Sequence, residues 1–158
     1  MVKTIFIGDV QAGNYDGQEV ELMGWVKRSR GSNKIRFIVL RDSTGVIQCV
    51  VKRDAVGDEP FEDAKGALIE SSIIITGMIN VDERADGGHE MVASSVSIVG
   101  SVNPERPFPI TESAMQAADG GETEFLLDNR HLYLRTSRMT TMLQVRSTVF
   151  GAIHNYFR

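Results

Sequence analysis

The chain of 158 residues carries a net charge of −4, and 42% of its residues are hydrophobic. This length allows one ordinary domain plus an appendage, and the lack of any apolar run of about 18 residues argues against a membrane span. The single cysteine, Cys49, excludes an internal disulfide and fits a reducing compartment such as the cytosol. Histidine and cysteine are too widely separated to predict a metal site, and the acidic balance argues against a protein that coats nucleic acids generally.

The amino-terminal part contains a short apolar piece, residues 4–7, and a turn-rich stretch, residues 13–17. Residues 20–28 then predict a strand, because apolar side chains recur with a period near two. Gly24 in its middle predicts a bend or bulge. Arg28 and Arg30 share the parity of this strand's apolar residues, so they can reach solvent only if the strand bulges or has left the core at that point, and we expect that it has.

Two further strands are predicted at residues 34–41 and 45–53, separated from each other and from the first strand by turn residues. In the second strand Ile38 and Leu40 share the inward parity, whereas periodicity leaves the buried face of the third strand open. This region has a strong local excess of positive charge from Lys27, Arg28, Arg30, Lys34, Arg36, Arg41, Lys52 and Arg53. A basic sheet with outward aromatic and amide groups is typical of single-stranded nucleic acid binding.

The remaining elements complete an all-β pattern with minor α content. Residues 54–70 change period, with Pro60 in the first turn of a helix and Phe61, Ala64 and Leu68 at helical spacing. Residues 72–81, bent at Gly77, and residues 90–99 predict the fourth and fifth strands, joined by a polar, glycine-rich connection over residues 82–89. Five strands with a helix between the third and fourth predict a small closed barrel.

The carboxyl-terminal third predicts a linker and a helix. Three of the four prolines lie in residues 101–124, which favours a linker. A helix is predicted from about residue 137 to the end, with a wide apolar surface. This surface consists of Met139, Met142, Leu143, Val149, Phe150, Ile153 and Phe157. We expect another subunit or a further domain to cover it.

The segments GWVKRSR, KIRFIVLRDSTGVIQ and FLLDNRHLYLRT, in this order, resemble the N-terminal anticodon-binding region of class II aminoacyl-tRNA synthetases of the aspartate, asparagine and lysine group. The resemblance implies a Greek-key OB-fold barrel in residues 1–100, a linker in residues 101–124, and the start of the catalytic domain, with a partial motif 1 helix, in residues 125–158. LRDSTGVIQCVV and VDERADGG most resemble archaeal-type asparaginyl enzymes, which often have proline where this chain has Asp86; aspartyl enzymes come next and lysyl enzymes last.

The resemblance implies that Phe37 stacks on an anticodon base and that Gln48 reads the edge of the middle base, a uridine. It implies that Arg28 and Arg30 contact anticodon phosphates or bases. Spacing alone leaves a core phenylalanine, an exposed glutamine and solvated arginines as alternatives. Trp25 is expected to have a packing role in the protein rather than to stack on a base.

Two pairs of charged residues are also assigned from the resemblance or from their position. Glu83 and Arg84 are candidate readers of the first anticodon base. The alternative is that their connection is a mobile loop with no role in binding. The pair Arg41 and Asp42 is expected to be structural.

No catalytic residue and no metal ligand is predicted, because the segment with His131 resembles a dimer interface and motifs 2 and 3 are absent. The resemblance implies a cytoplasmic, homodimeric asparagine–tRNA ligase as full-length parent, with ATP and Mg²⁺ as its cofactors and tRNA as its partner. The chain alone is expected to bind no cofactor and to be inactive. Alternatives are an aspartate–tRNA ligase domain, a stand-alone OB-fold module that binds tRNA or single strands, and a pure oligomerisation domain. The apolar terminal helix argues against the module, and the basic strands argue against oligomerisation alone.

Overall fold

The computed structural model describes residues 4–110 and 123–158, and the chain divides into one unit that ends at Phe108 and another that begins at Pro109. Much of the predicted linker, residues 111–122, lies outside the described residues.

Five long strands close into a barrel in the first unit. They follow the order β2-β3-β4-β6-β5, and β5 pairs back onto β2. The β4–β6 pair is parallel and the other pairs between long strands are antiparallel. A two-residue strand, β1, adds to the start of β2 in parallel. The strands are β1 (Thr4–Ile5), β2 (Glu19–Gly31), β3 (Ile35–Arg41), β4 (Val46–Lys52), β5 (Ser72–Val81) and β6 (His89–Gly100). The predicted five-stranded barrel is confirmed.

Three short helices complete this unit. The predicted helix between the third and fourth long strands is present, as α2 (Arg53–Val56) and α3 (Asp58–Gly66). Phe61 and Ala64 of α3 are fully buried in the barrel core. A helix that was not predicted, α1 (Ile7–Gln11), precedes β2. Its five residues are too few to give a periodic signal in the sequence.

The barrel core takes one side of each strand. Ile38 and Leu40 are fully buried, as their parity predicts. On β4, Ile47, Cys49 and Val51 are fully or almost fully buried, which settles the face that periodicity left open. Burying a side chain of this size contributes about 1.5–3 kcal/mol relative to exposure.

Gly24 and Gly77 allow neighbouring strands to approach closely. A Cβ atom at Gly24 would lie 2.4 Å from the carbonyl oxygen of Arg41, and one at Gly77 would lie 2.3 Å from that of Val92. Strand β2 pairs with β5 as far as Trp25, the residue after Gly24, and with β3 from Trp25 onward. At Gly77 the register of β5 and β6 shifts, as expected from a predicted bend.

The second unit is helical in its described part. It contains α4 (Thr123–Asp128), α5 (Arg130–Tyr133) and α6 (Ser137–Tyr156). Helix α6 begins where predicted, and the Thr136 hydroxyl caps it by accepting a hydrogen bond from the Met139 amide. Met139 is buried, whereas the other six members of the predicted apolar surface are exposed. Within the described ranges, no helix is long and apolar enough to cross a membrane.

Candidate nucleic-acid interface

A bulge in β2 turns two arginines outward. Val26 pairs with Leu40 on β3, but Arg28 pairs with Val39, so the residue between Val26 and Arg28 is extra in the ladder. Val26 is fully buried, whereas Arg28 and Arg30 are exposed. The bulge moves both arginines from the parity of the core to the outer face, which is one of the two ways in which they were expected to reach solvent.

Phe37 and Gln48 lie on that same outer face. Val39 pairs with Gln48 across the antiparallel β3–β4 ladder, and Phe37 pairs with Val50. Because paired residues and alternate residues share a face, Phe37 and Gln48 point to the same side of the sheet. Both are partly exposed. The barrel therefore presents an aromatic ring and an amide together, open to solvent.

A cavity of about 660 Å³ opens over this face, a size suited to a small ligand or a nucleobase. Four predicted site residues line it: Arg30, Phe37, Gln48 and Arg84. The other two do not line it. Arg28 lies beside Val39 at the edge of this face, and Glu83 is exposed in the connection after β5.

Arg30 lies beside both the ring and the amide. Its guanidinium carbon is 5.6 Å from the centroid of the Phe37 ring, within the range of a cation–π contact. Its Nη2 donates to Gln48 Oε1 over 3.5 Å, a long and weak hydrogen bond. Within residues 4–110 and 123–158, no carboxylate lies within 4 Å of Arg30. The guanidinium therefore keeps its hydrogen-bonding capacity and its charge for a ligand.

The connection between β5 and β6, residues 82–88, forms another wall of the cavity. Arg84 donates from Nε and Nη2 to the two carboxylate oxygens of Asp82, each over 3.0 Å. The side-chain and backbone hydrogen bonds from Arg84 lower the pKa of Asp82, and the carboxylate in turn raises the pKa of Arg84. Both groups are therefore charged at neutral pH. The backbone of the connection closes through a hydrogen bond from the Asp82 amide to the Gly88 carbonyl.

Several lining residues were not predicted. Lys52 lines the cavity, and its parity with Gln48 could have identified it. The carboxylates of Asp82, Asp86 and Glu90 also line it. Glu90 stands opposite Gln48 in the parallel β4–β6 ladder, a pairing for which the sequence gives no local signal. The cavity thus combines basic groups from β2 and β4 with acidic groups from β6 and the connection before it.

The groups at the opposite end of β3 are structural, with one correction. Arg41 does not pair with Asp42; its Nη2 donates to both carboxylate oxygens of Glu70, over 2.8 and 3.0 Å. Asp42 accepts hydrogen bonds from the backbone amides of Ile7, over 2.8 Å, and Thr44, over 2.7 Å. The structural role expected for Asp42 is therefore confirmed, but its partner was predicted wrongly.

Cys49 lies beneath the face that carries Gln48. Burial, and secondarily the charge of Glu90, raises the pKa of the Cys49 thiol to about 12. The thiol is neutral at physiological pH and belongs to the core. In the described residues, no group of three or more His, Cys, Asp and Glu side chains is arranged to hold a metal ion.

Comparison with known proteins identifies this architecture. Residues 20–99 match the family model of the OB-fold nucleic acid binding domain of the tRNA anti-codon type. The match covers about half of the chain and contains nearly all of the five long strands. The chain belongs to this family.

The relatives of this OB-fold domain are asparagine–tRNA ligases, as the resemblance predicted. That of Symbiobacterium thermophilum is 42% identical over 144 residues, which cover 91% of this chain and 31% of that protein. The crystal structure of asparaginyl-tRNA synthetase from Pyrococcus horikoshii, complexed with asparaginyl-adenylate, matches with a TM-score of 0.82 and 35% identity over 99% of this chain and 34% of that one.

An aspartyl-tRNA synthetase from Entamoeba histolytica has a TM-score of 0.80 at 19% identity, covering 99% of this chain and 37% of that one. At this level of identity the match concerns the fold alone. The chain spans about a third of the length of the curated relatives it matches.

Proposed function

We propose that this chain is the anticodon-binding, N-terminal part of an asparagine–tRNA ligase, and that its barrel binds the anticodon loop of a tRNA. The observation that carries the proposal is the placement of Phe37, Gln48 and Arg30 around one open cavity. An aromatic ring, an amide and an exposed arginine are what an unstacked nucleotide needs for stacking, edge recognition and neutralisation. The names of the relatives support the choice of asparagine.

In this proposal Phe37 stacks on the middle base, and the Gln48 amide reads its edge. Nε2 donates to O4 of uracil, and Oε1 accepts from N3–H. Cytosine presents the reversed pattern, which a flipped amide could match. Arg30 disfavours that flip, because its Nη2 donates to Gln48 Oε1 and a flip would set two donors against each other. The arginine thus contributes to the choice of uracil.

The other predicted residues have supporting roles in the proposal. Arg28 and Arg30 neutralise phosphates next to the middle base, which suits two exposed cations on a negatively charged chain. Arg84 and Glu83 meet a neighbouring base of the anticodon. Arg84 is the stronger candidate of the two, because it lines the cavity and Glu83 does not.

The proposed full-length protein attaches asparagine to its tRNA with ATP and Mg²⁺ in the cytoplasm. We assign those cofactors and that reaction to the parts of the relatives that this chain does not match, so that the chain alone binds tRNA without activating asparagine. Residues 1–100 would be the anticodon-binding domain, residues 101–124 the linker and residues 125–158 the start of the catalytic domain. The exposed apolar side chains of α6 suit packing between two subunits.

Titration of the chain with anticodon stem-loops that differ only at the middle base tests this function. We expect uridine to be preferred, and we expect Gln48→Ala to remove the preference, a loss of about 1–3 kcal/mol of discrimination. Gln18→Ala is the matched control, because Gln18 is an exposed glutamine whose side chain bonds locally, to the carbonyl of Asn14. Equal, weak binding of the unmodified chain to every stem-loop would contradict the proposal and favour a generic single-strand binder.

A further inference from the structure

The connection that carries Asp82 and Arg84 is attached to the turn before β2 through the side chain of His89, the first residue of β6. This residue is 9% exposed. Its Nε2 lies 2.9 Å from Asp16 Oδ1, and its Nδ1 lies 3.0 Å from the carbonyl oxygen of Gly87. One imidazole therefore joins residues 82–88 to the turn that precedes β2, 73 residues away in sequence.

Gln11, the last residue of α1, packs on the same connection. A Cβ atom at Gly87 would lie 2.2 Å from Gln11 Nε2, so a larger residue here would displace the end of this side chain. Gly87 also has a φ of +83°, which glycine adopts without strain. Gln11 Nε2 donates to the carbonyl of Val46 over 2.8 Å, which ties the same side chain to β4.

The segment that provides these contacts is itself anchored to the barrel. Ile7 and Val10 of α1 are fully buried in the core. After the turn, the Gly17 amide donates to the carbonyl of Ile79 over 2.9 Å, and the Ile79 amide donates back to Gln18 over 3.0 Å. Neither Gln11 nor Asp16 lines the cavity. The segment before β2 is therefore a fixed support behind the cavity wall.

We propose that Gln11, Asp16 and His89, together called the loop clamp, are positioning residues that determine selectivity at the nucleotide that Arg84 meets. This inference rests on the proposed function and deepens it. The Arg84 side chain is 91% exposed, and its charged partner, Asp82, belongs to the same connection. Arg84 can thus be placed only as accurately as the backbone of residues 82–88, and recognition requires placement within about 0.5 Å. The loop clamp fixes that backbone.

A double-mutant cycle with Asp16→Ala and Arg84→Ala tests the inference. We expect Arg84→Ala to reduce the base preference at one anticodon position other than the middle one. Asp16→Ala should reduce the same preference severalfold, and it should have almost no further effect when Arg84 is already alanine. The uridine preference at the middle position should be unchanged in both variants. Additive losses, or an equal loss at the middle position, would overturn the inference in favour of a general effect on stability.

Two control variants sharpen this cycle. Asp16→Asn keeps an oxygen that can face His89, so it should retain most of the preference. Asp9→Ala removes the same charge from an exposed position on α1 and should change nothing. Thermal unfolding of each variant establishes that the folded fraction is the same in all titrations.

Hydrogen exchange gives a readout that needs no RNA. The amides of Ala85 and Gly88 donate to carbonyls within the connection, and they should exchange faster in Asp16→Ala, whereas amides of the β3–β4 ladder should not. Unchanged exchange overturns the loop clamp and leaves the proposed function standing if the middle-base preference persists. Faster exchange without any base preference that depends on Arg84 overturns the selectivity assigned to the clamp. If the unmodified chain shows no base preference at any position, the proposed function itself is contradicted.

Discussion

The two ends of the β2–β3 pair carry the same cation–aromatic arrangement in two different settings. At one end Arg41 lies 5.8 Å above the ring of Trp25, and at the other Arg30 lies 5.6 Å from the ring of Phe37. Each arginine is the cross-strand partner of its aromatic residue. The local geometry alone therefore does not distinguish them.

The difference lies in a carboxylate. Glu70 accepts two hydrogen bonds from Arg41, and only 11% of its side chain is exposed. Its backbone has a φ of +70°, an uncommon conformation for a residue other than glycine, and its amide donates to the carbonyl of Val26 over 2.7 Å. Arg30 has no such partner in the described part of the chain. An arginine over an aromatic ring is structural where a carboxylate closes the site, and is available to a ligand where none does.

Removal of the carboxylate should give the largest effect on stability. Glu70→Ala leaves the partly buried Arg41 without its charged hydrogen bonds, so we expect the free energy of unfolding to fall by about 1.5–3 kcal/mol. Denaturant titration measures this change, and Glu70→Gln is the matched control that keeps the size of the side chain. RNA affinity should be almost unchanged, because Glu70 does not line the cavity. Lost RNA affinity with intact stability would reverse the comparison between the two ends.

Removal of the open ring should give the largest effect on binding. Phe37→Ala should weaken binding of the anticodon stem-loop by about 1–3 kcal/mol, because a stacked base loses its platform. Trp25→Ala is the paired control, and it should lower stability while the affinity of the folded protein is unchanged. Fluorescence titration and thermal unfolding separate the two effects. If Phe37→Ala unfolds the barrel, the ring belongs to the core and the interface has been assigned wrongly.

The smallest effect is expected from the open arginine. Arg30→Ala should reduce the slope of log affinity against log salt concentration by roughly 0.7, which corresponds to one phosphate contact on a single strand. Titration at several salt concentrations measures the slope. Arg106→Ala removes the same charge from an exposed position outside the sheet and should leave the slope unchanged. Equal slopes for both variants would remove Arg30 from the interface.

Local patterns in the sequence were sufficient for the barrel strands. Alternation of apolar residues and the turn residues between them predict the five long strands, since both depend on neighbours along the chain. The outward position of Arg28 and Arg30 was predictable, because both would otherwise point into an apolar core, where an unpaired charge is too costly. An exposed Gln48 was predictable from its polarity alone, whereas a role in reading a base came only from the resemblance.

Contacts between distant parts of the chain were not predictable. Glu70 follows Arg41 by 29 residues and reaches it through a turn whose geometry no pattern specifies. Glu90 meets Gln48 only because β4 and β6 run parallel where the barrel closes. The same holds for Asp16 and His89. Side chains brought together by barrel closure leave no periodic signal. Among these contacts, that of Glu90 contributes an acidic group to the cavity, and that of Asp16 with His89 belongs to the loop clamp.

The bulge in β2 also constrains how this protein can be altered. Before the extra residue, the even-numbered residues Val20 and Leu22 face the core. After it, the even-numbered residues Arg28 and Arg30 face solvent. A combinatorial library that randomises alternate positions along this strand must therefore shift its frame by one at Lys27. Deletion of Lys27 would place Arg28 directly after Val26 opposite the consecutive residues Val39 and Leu40, so both arginines would still face outward and only the bulge would be lost. A strand that kept Lys27 without the bulge would instead turn both arginines into the core.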